Sequence, residues 1–281
     1  MALRTVGFWW NPQKRGASQV ASRLLKALER FDFEVRMDQP LAALLNRPDR
    51  AFDERGLSGC DLIATLGGDG TILSGLDAAI SLDIPVLGVN LGRVGFLTEV
   101  EPDDIETNIE RLAAGDYHIE ERMLLSANVL GAPPALALND VVLTRTPLVT
   151  RVITFEIYVG GALADRFSGD GLIVSSPTGS TAYSFSAGGP VVVPGLDLFV
   201  LTPICAHTLH TRPFVLSDAT QIGVRATNGE AAQLVVDGRL RLDMSGADTV
   251  MIQKSERKAR FIRLNDRSFF TRLRSKLTEW N

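Results

Sequence analysis

The chain has 281 residues, of which 45% are hydrophobic and 22% charged, and its formal net charge is −4 at pH 7. A chain of this length forms one large domain or two ordinary ones, and its apolar content is sufficient for a substantial core. The negative net charge, with no long block of either sign, argues against a nucleic-acid-binding protein, which usually carries a basic stripe. We therefore expect no nucleic-acid partner.

Cysteine content and the N-terminal residues indicate the compartment. Two cysteines, Cys60 and Cys205, provide neither a disulfide framework nor a metal-ligand cluster, and we interpret them as buried thiols in a reducing cytosol. The apolar stretch in MALRTVGFWWNP is too short for a signal peptide. The longest uncharged run, residues 171–196, is too rich in Gly, Ser, Thr and Pro for a membrane helix. These features predict a soluble, cytoplasmic protein with no membrane partner.

The first part of the chain alternates strand and helix signals. The strand-like runs are, in order, RTVGFWW, FEVRM, DLIATL and IPVLGVN. The helical runs are ASQVASRLLKALERF, TILSGLDAAISL and EPDDIETNIERLAAGDY. Such alternation predicts an α/β domain with a parallel sheet and helical crossovers, which we assign to residues 1–120.

The pattern changes near Tyr117. Short strand-like runs separated by turn residues follow, from IEERMLLSANVL through VITFEIYVGG and GLIVSS to AAQLVVDGR, with little helical periodicity. This pattern predicts an all-β second domain, a sandwich, over residues 121–265.

A basic amphipathic segment ends the chain. Residues 266–281 place Phe269, Leu273 and Leu277 on one stripe of a helix. We expect this C-terminal helix to pack back on the first domain. A helix lying on a membrane surface is the alternative, but the chain lacks a second anchoring signal.

Glycines surround a single aspartate in LIATLGGDGTIL, between a predicted strand and a predicted helix. At this junction of a doubly wound sheet ligands bind, because backbone N–H groups and the helix N-terminus attract phosphate. Thr71 would add a hydroxyl donor. The stretch is neither a Walker A loop, since no lysine follows, nor a dinucleotide fingerprint, since Leu73 replaces the last glycine. Asp69 either caps the helix that starts near Thr71 or serves the ligand.

Two further polar stretches interrupt the second half of the chain. Residues 175–190, SSPTGSTAYSFSAGGP, carry a run of hydroxyl side chains suited to ribose hydroxyls and phosphate oxygens. A polar surface loop is the alternative, but the flanking residues favour a folded, partly buried element. Asn139 and Asp140 lie inside an otherwise apolar predicted strand, where polar groups need partners or a function. The alternative interpretation is that Asn139 and Asp140 form a turn at the end of a strand.

Four motifs in this order, LGGDGT, LND, DGLIVSSPTGSTAYSFSAGGP and ICAHTLHTRPFVL, resemble the NAD kinase family. The resemblance extends from Asn11-Pro12 to VVDG at residues 235–238. GGDGT alone is not diagnostic, because diacylglycerol-type lipid kinases and 6-phosphofructokinases carry similar loops. PTGSTAY with the downstream GGP is the specific signal.

The resemblance implies an N-terminal α/β domain, a C-terminal β-sandwich and an active site between them. It implies transfer of the γ-phosphoryl group of ATP to the 2′-hydroxyl of the adenosine ribose of NAD, which makes NADP. Members are commonly homodimers or homotetramers. Mg²⁺, or another divalent metal, would accompany ATP and neutralise phosphate charge, because the loop has no P-loop lysine; no residue is assigned as a metal ligand.

The resemblance also implies roles for residues of this chain. Asp69 corresponds to the catalytic aspartate that accepts the proton of the ribose hydroxyl. Three residues, Gly68, Gly70 and Thr71, correspond to the lining of the phosphate site. The residues that correspond to the NAD-binding set are Gly70, Phe96, Asn139, Asp140, Asp170, Thr181, Ala182, Tyr183 and Ser186.

Several alternatives stay open at this point. Arg93, Arg145 and Arg212 would either assist the phosphoryl transfer or serve the structure. His207 would contact the ligand or form a core hydrogen bond to the backbone, and His210 lies in the same motif. A related kinase acting on a lipid or sugar, and a non-catalytic nucleotide-binding regulator, are the rival functions. The choice between ATP and polyphosphate, the acceptance of NADH and feedback by NADP or NADPH are left open.

Overall fold

The computed structural model describes residues 3–52, 56–92, 95–146, 152–208, 211–227, 231–244, 248–265 and 268–279. The chain divides into two units, one formed by Met1–Glu121 with Ala259–Asn281 and the other by Arg122–Lys258. Among the described residues, every helix is too short or too polar to span a membrane.

The α-helices and β-strands of the structure have the following bounds, each set numbered in chain order. The α-helices are α1 Ala17–Arg30, α2 Gln39–Leu44, α3 Asp69–Leu82, α4 Ile105–Ala113, α5 Tyr183–Ser186 and α6 Phe269–Glu279. The strands are β1 Thr5–Trp10, β2 Glu34–Arg36, β3 Leu62–Leu66, β4 Val86–Val89, β5 His118–Asn128, β6 Ala135–Ala137, β7 Asp140–Arg145, β8 Ile153–Val159, β9 Ala162–Gly169, β10 Gly171–Ser175, β11 Leu198–Ile204, β12 Phe214–Ser217, β13 Ile222–Ala226, β14 Ala232–Val236, β15 Arg239–Met244 and β16 Thr249–Arg263.

The first unit is an α/β domain built on a parallel sheet. β1 pairs in parallel with β2 and β3, and β3 pairs in parallel with β4. The last residues of β16 extend this sheet, where Phe261 pairs with Val86. Every residue of β3 and β4 is buried, as expected for strands covered on both faces. The predicted alternation of strands and helices is confirmed.

The second unit consists of antiparallel sheets around one core. One sheet has the order β12-β11-β10-β7-β14-β15, and in the other β8 pairs with β9 and β13, which pairs with β16. Buried side chains from both sheets form a single hydrophobic cluster, including Val141, Leu172 and Phe199 of the first and Phe155 and Val224 of the second. The predicted all-β second domain is confirmed.

Helix α6 belongs to the first unit and contacts the rest of it through its N-terminal half. The Phe269 ring lies 6.3 Å from the Phe96 ring, measured between centroids. Phe269 and Leu273 are half-buried, whereas Leu277 is 40% exposed. The predicted apolar stripe is therefore covered only in part.

The two cysteines differ in their surroundings. Both are free, but Cys60 is buried and Cys205 is exposed. Cys205 directly follows β11 in a bend with φ +46°. The prediction of two buried thiols is wrong for Cys205, because the chain leaves the sheet at this residue.

Candidate active site

Asp69 lies at the junction between β3 and α3. The helix begins at Asp69 itself, and Gly68 occupies the N-cap position. Each carboxylate oxygen accepts one backbone hydrogen bond, from Phe96 N at 2.9 Å and from Leu97 N at 3.0 Å. The helix-capping alternative is therefore wrong, because the side chain bonds to a different loop. Two N–H donors fix the orientation of this half-buried carboxylate.

The loop that holds Asp69 requires a glycine at its start. A Cβ at Gly95 would lie 2.3 Å from Asp69 Oδ1 and 2.8 Å from Thr98 Oγ1. Any side chain at Gly95 would displace the carboxylate or the loop. Arg93, two residues earlier, lies outside the described residues.

The residues predicted to line the phosphates differ in their exposure. Among the described residues, a Cβ at Gly68 or Gly70 would meet no atom within 4 Å, so that part of the structure leaves space beside the backbone here. The first backbone N–H groups of an α-helix have no intrahelical acceptor and are directed outward. Thr71, in contrast, is buried, and its Oγ1 has no hydrogen-bond partner among the described residues. The Thr71 hydroxyl faces the Gly67 backbone in this structure.

Asn139 and Asp140 belong to a bend rather than to a strand interior. Leu138 and Asn139 connect β6 to β7, and Asp140 is the first residue of β7. The Asp237 carboxylate accepts the N–H groups of Leu138 at 2.8 Å, Asn139 at 2.8 Å and Asp140 at 3.1 Å. These N–H groups are thereby withdrawn from strand pairing, so the prediction of a strand interior is wrong. The strand-end turn is the observed arrangement.

Asp237 lies in the VVDG motif, but the sequence assigns it no role. It lies in the two-residue turn between β14 and β15, with φ +48°, and Gly238 follows with φ +73°. An Asp-Gly pair after an apolar run signals a hairpin of this kind. Its partners are 97 to 99 residues away along the chain, so no local pattern reveals them.

Asp140 has an unusual protonation equilibrium. Its side chain is buried, with 5% of the residue exposed. Burial raises the pKa of the Asp140 carboxyl from 3.8 to about 7, and the negative charge of Asp237 contributes to the same shift. Near neutral pH this carboxyl is therefore divided between its protonated and ionised forms.

Replacing Asp140 with asparagine should change how stability depends on pH. Because the folded-state pKa is raised, Asp140 stabilises the fold at low pH, and this contribution is lost as the pH rises from about 4 to about 7. The asparagine amide does not titrate. The variant should therefore gain about 3 kcal/mol of unfolding free energy over the wild type between about pH 5 and about pH 8. Denaturant unfolding at the two pH values measures this difference; parallel pH profiles would contradict the assignment.

The hydroxyl-rich segment is folded and largely buried. It forms a 3₁₀ turn at Thr178–Thr181, followed by α5. The Ser176 hydroxyl donates to Leu138 O at 2.5 Å, and the Ser180 hydroxyl donates to Pro177 O at 2.7 Å. The surface-loop alternative is wrong. These hydroxyls hold the segment itself and its junction with the Asn139–Asp140 bend, so they are not available to ribose.

The residues of this segment that the resemblance selects are the more accessible ones. Thr181 and Ala182 are half-buried, whereas Tyr183 is 47% exposed and Ser186 is exposed. Burial raises the pKa of the Tyr183 phenol, and the charges of Cys205, Asp140 and Asp170 raise it further. The second unit thus brings Tyr183, Asp140 and Asp170 into one neighbourhood.

Asp170 is held by an ion pair at the edge of this neighbourhood. Arg145 Nε donates to Asp170 Oδ1 at 2.8 Å, which gives Arg145 a structural role in this chain. Arg212 Nη1 donates to the carbonyl of Thr211 at 2.9 Å. His207 is exposed, so its interpretation as a core histidine is wrong, and His210 lies outside the described residues.

A metal would find few protein ligands here. Within the part of the chain that the structure describes, no three His, Cys, Asp or Glu side chains lie close enough together to hold a metal ion.

Comparisons with known proteins agree with the motifs over the whole chain. Residues 6–117 match the family described as ATP-NAD kinase N-terminal domain, and residues 138–264 match the ATP-NAD kinase C-terminal domain. An NAD kinase of Heliobacterium modesticaldum is 45% identical over 286 aligned residues, which cover 99% of each chain. An NAD kinase of Natranaerobius thermophilus is 39% identical over 282 aligned residues, which cover 98% of each.

Solved structures share the fold. The NAD kinase from Archaeoglobus fulgidus in complex with ATP is 29% identical with a TM-score of 0.75, covering 97% of this chain and 99% of that chain. Yeast NADH kinase complexed with NADH has a TM-score of 0.86 at 24% identity, covering 100% of this chain and 89% of that chain, and supports the fold alone. With both domain families matched and full-length identities reaching 45%, the chain belongs to the NAD kinase family.

Proposed function

We propose that this chain transfers the γ-phosphoryl group of ATP to the 2′-hydroxyl of the adenosine ribose of NAD, making NADP. The observation that carries this proposal is the Asp69 carboxylate, which is fixed by two N–H donors beside the open backbone of Gly68 and Gly70. Membership of the NAD kinase family supplies the substrates, and the ATP complex of the Archaeoglobus fulgidus relative supports ATP as donor.

Asp69 would act as the general base. A ribose hydroxyl is a weak nucleophile, so a positioned carboxylate helps by taking its proton as the oxygen attacks phosphorus. Such catalysis contributes about 10²- to 10⁴-fold to the rate. Each Asp69 oxygen already accepts one N–H group, which fixes the side chain and leaves further lone pairs for the hydroxyl.

The phosphates of ATP would lie at the start of α3. Backbone N–H groups at a helix N-terminus bind anions, and Gly68 and Gly70 leave room for close approach. Thr71 N already donates to Gly68 O at 2.8 Å and its hydroxyl faces Gly67, so Thr71 would line the phosphate site by holding this turn rather than by donating to a phosphate. Mg²⁺, or another divalent metal, would enter bound to the ATP phosphates and neutralise their charge. The larger part of the acceleration comes from holding both substrates in line.

NAD would bind through the residues that the family resemblance assigns to it. Asn139, Asp140, Asp170 and Tyr183 offer amide, carboxylate and phenol groups, and the charges of Asp140 and Asp170 both raise the pKa of the Tyr183 phenol. Phe96 would contact the adenine. The remaining residues that we assign to NAD are Gly70, Thr181, Ala182 and Ser186.

A coupled assay for NADP formation tests this function. Purified protein should convert NAD to NADP with ATP and Mg²⁺, and the same assay with polyphosphate identifies the range of donors. Diglyceride and a long-chain base serve as competing acceptors. Phosphorylation of either lipid without any NADP would favour the related lipid kinase, and NAD binding without ATP consumption would favour the regulator.

The setting of the reaction is part of the same proposal. We place the enzyme in the cytoplasm as a homodimer or homotetramer, with no nucleic-acid or membrane partner. The net charge of −4 supports the absence of a nucleic-acid partner, two free cysteines support a reducing compartment, and the assembly rests on the family resemblance alone. Light scattering of the purified protein measures the oligomeric state, and a monomeric mass would contradict the assembly.

A further inference from the structure

We propose that Arg272, on the C-terminal helix α6, is a positioning residue for Asp69. Together with Glu99 it fixes the loop of residues 95–99, which supplies both N–H donors to the Asp69 carboxylate. This inference rests on the proposed role of Asp69 as the base. All the contacts that carry it lie within the first unit.

Glu99 is the centre of this arrangement. It is buried, and its carboxylate accepts Leu264 N at 3.1 Å and Asn265 N at 2.8 Å on Oε1. Its Oε2 accepts Arg272 Nη2 at 2.6 Å and Arg263 Nη1 at 3.2 Å. One carboxylate therefore joins the 95–99 loop, the end of β16 and helix α6.

The two arginines also hold the backbone of the loop directly. Arg272 Nη1 donates to the carbonyl of Thr98 at 2.5 Å, and Arg263 Nη1 donates to the carbonyl of Leu97 at 3.0 Å. The N–H group of Leu97 is bound to Asp69. Leu97 thus accepts Arg263 at its carbonyl and donates to Asp69 through its N–H group, while Arg272 holds the carbonyl of the next residue, Thr98.

Charge balance makes this arrangement sensitive to Arg272. Burial alone would raise the pKa of Glu99, but the hydrogen bond from Arg272 and the charges of Arg263 and Arg272 outweigh it and hold that pKa below its ordinary value. Arg263 is shared with Glu120, to which its Nε donates at 2.6 Å. Losing Arg272 would leave the ionised Glu99 with half of its cationic partners, and the loop would move to restore solvation.

A second contact joins α6 to the same loop. The ring of Phe269 packs against the ring of Phe96, the residue whose N–H group binds Asp69 Oδ2. Arg272 lies three residues further along the helix, so both side chains share one face. One face of α6 therefore contacts the 95–99 loop twice, through the Phe269 ring and through the Arg272 guanidinium.

The test compares two arginines of one helix. Arg272→Ala should lower kcat about 10- to 100-fold, since small displacements of a catalytic group have effects of this size. KM for ATP should change less than about twofold, because Arg272 does not contact Gly68 or Gly70, and KM for NAD should change less than kcat, because only Phe96 of its assigned residues lies in the displaced loop. Arg274→Ala, which removes the same charge from an exposed position, should leave both constants unchanged. Arg272→Lys, which keeps the charge but not the fork of donors, should recover part of kcat.

Hydrogen–deuterium exchange provides a readout that is independent of activity. The amides of Phe96 and Leu97 should exchange faster in Arg272→Ala than in the wild type and the Arg274→Ala control. A normal kcat, or a reduced kcat with unchanged exchange at these amides, would overturn the proposal. If Arg272→Ala does not fold, kcat and the exchange of the Phe96 and Leu97 amides are measured on Glu99→Gln instead. The same outcomes are expected for that variant. A wild-type protein that makes no NADP would refute the proposed function. The exchange measurement would still show whether Arg272 fixes the loop that binds Asp69.

Discussion

Replacing Asp69 with asparagine should lower kcat for NADP formation by about 10²- to 10⁴-fold, the usual contribution of a general base. The amide cannot accept the proton of the ribose hydroxyl, although it has nearly the same size. One of its two terminal atoms still accepts an N–H group from the 95–99 loop. The fold and NAD affinity should therefore persist. Steady-state kinetics and calorimetric titration with NAD measure the two effects.

Asp77→Asn is the matched control for this variant. Asp77 is exposed on the same helix, two turns after Asp69, and its replacement removes the same charge. Its kcat should stay at the wild-type value. A wild-type kcat for Asp69→Asn would end the assignment of the base, and a loss of NAD binding of equal size would reassign Asp69 to substrate binding.

Gly179→Ala should destabilise the second unit. A Cβ at Gly179 would lie 2.0 Å from the carbonyl oxygen of Asn139 and 2.4 Å from its carbonyl carbon. Both are backbone atoms, which cannot turn aside as a flexible side chain would. The same carbonyl accepts Ser176 N at 2.9 Å, so any shift also disrupts that bond. The free energy of unfolding should fall by about 3 kcal/mol, which corresponds to a melting temperature lower by about 10 °C.

Calorimetry on two glycine variants checks this prediction. A Cβ at Gly195 would meet no atom of the structurally described residues within 4 Å, so Gly195→Ala adds the same methyl group without a clash there. Its melting temperature should remain close to that of the wild type. Gly179→Ala should also weaken NAD binding, because the clash displaces the Asn139–Asp140 bend. Equal melting temperatures for the two variants would contradict the close approach of Gly179 to Asn139.

Local patterns predicted the part of the site that depends on local structure. Buried strand β3, the glycines and the amphipathic pattern after them placed Asp69 between a strand and a helix, as observed. The hydrogen-bond partners of the carboxylate could not be predicted from the sequence, because Phe96 and Leu97 are 27 and 28 residues away in the chain. The N-cap preference of aspartate favoured a local partner, and the tertiary contact overrode it.

The errors in the second unit have the same origin. LALNDVVLTR has the composition of one strand, yet the Asp237 carboxylate binds three successive N–H groups and turns the chain at Asn139. The hydroxyl run suggested ligand contacts, but Ser176 and Ser180 bind backbone carbonyls. Sequence composition identifies polar groups that need partners, whereas only the fold shows whether protein or ligand supplies them.

The coupling of α6 to Asp69 was also beyond local patterns. The helix was predicted from its apolar stripe, while Arg272 looked like any solvent-facing arginine of a basic helix. Its partner Glu99 is 173 residues away, and burial of that carboxylate follows only from the approach of β16 and α6 to the 95–99 loop. An arginine outside any motif, such as Arg272, becomes informative only when the burial of its partner is known.

A structure of the protein with NAD bound tests the central claim most directly, through the distance from the Asp69 carboxylate to the 2′-oxygen of the adenosine ribose. A base that removes this proton must lie within hydrogen-bond reach, so we expect a separation of about 3 Å, direct or through one water. An Asp69 carboxylate more than about 6 Å from that oxygen, or directed at the nicotinamide ribose instead, would contradict the mechanism.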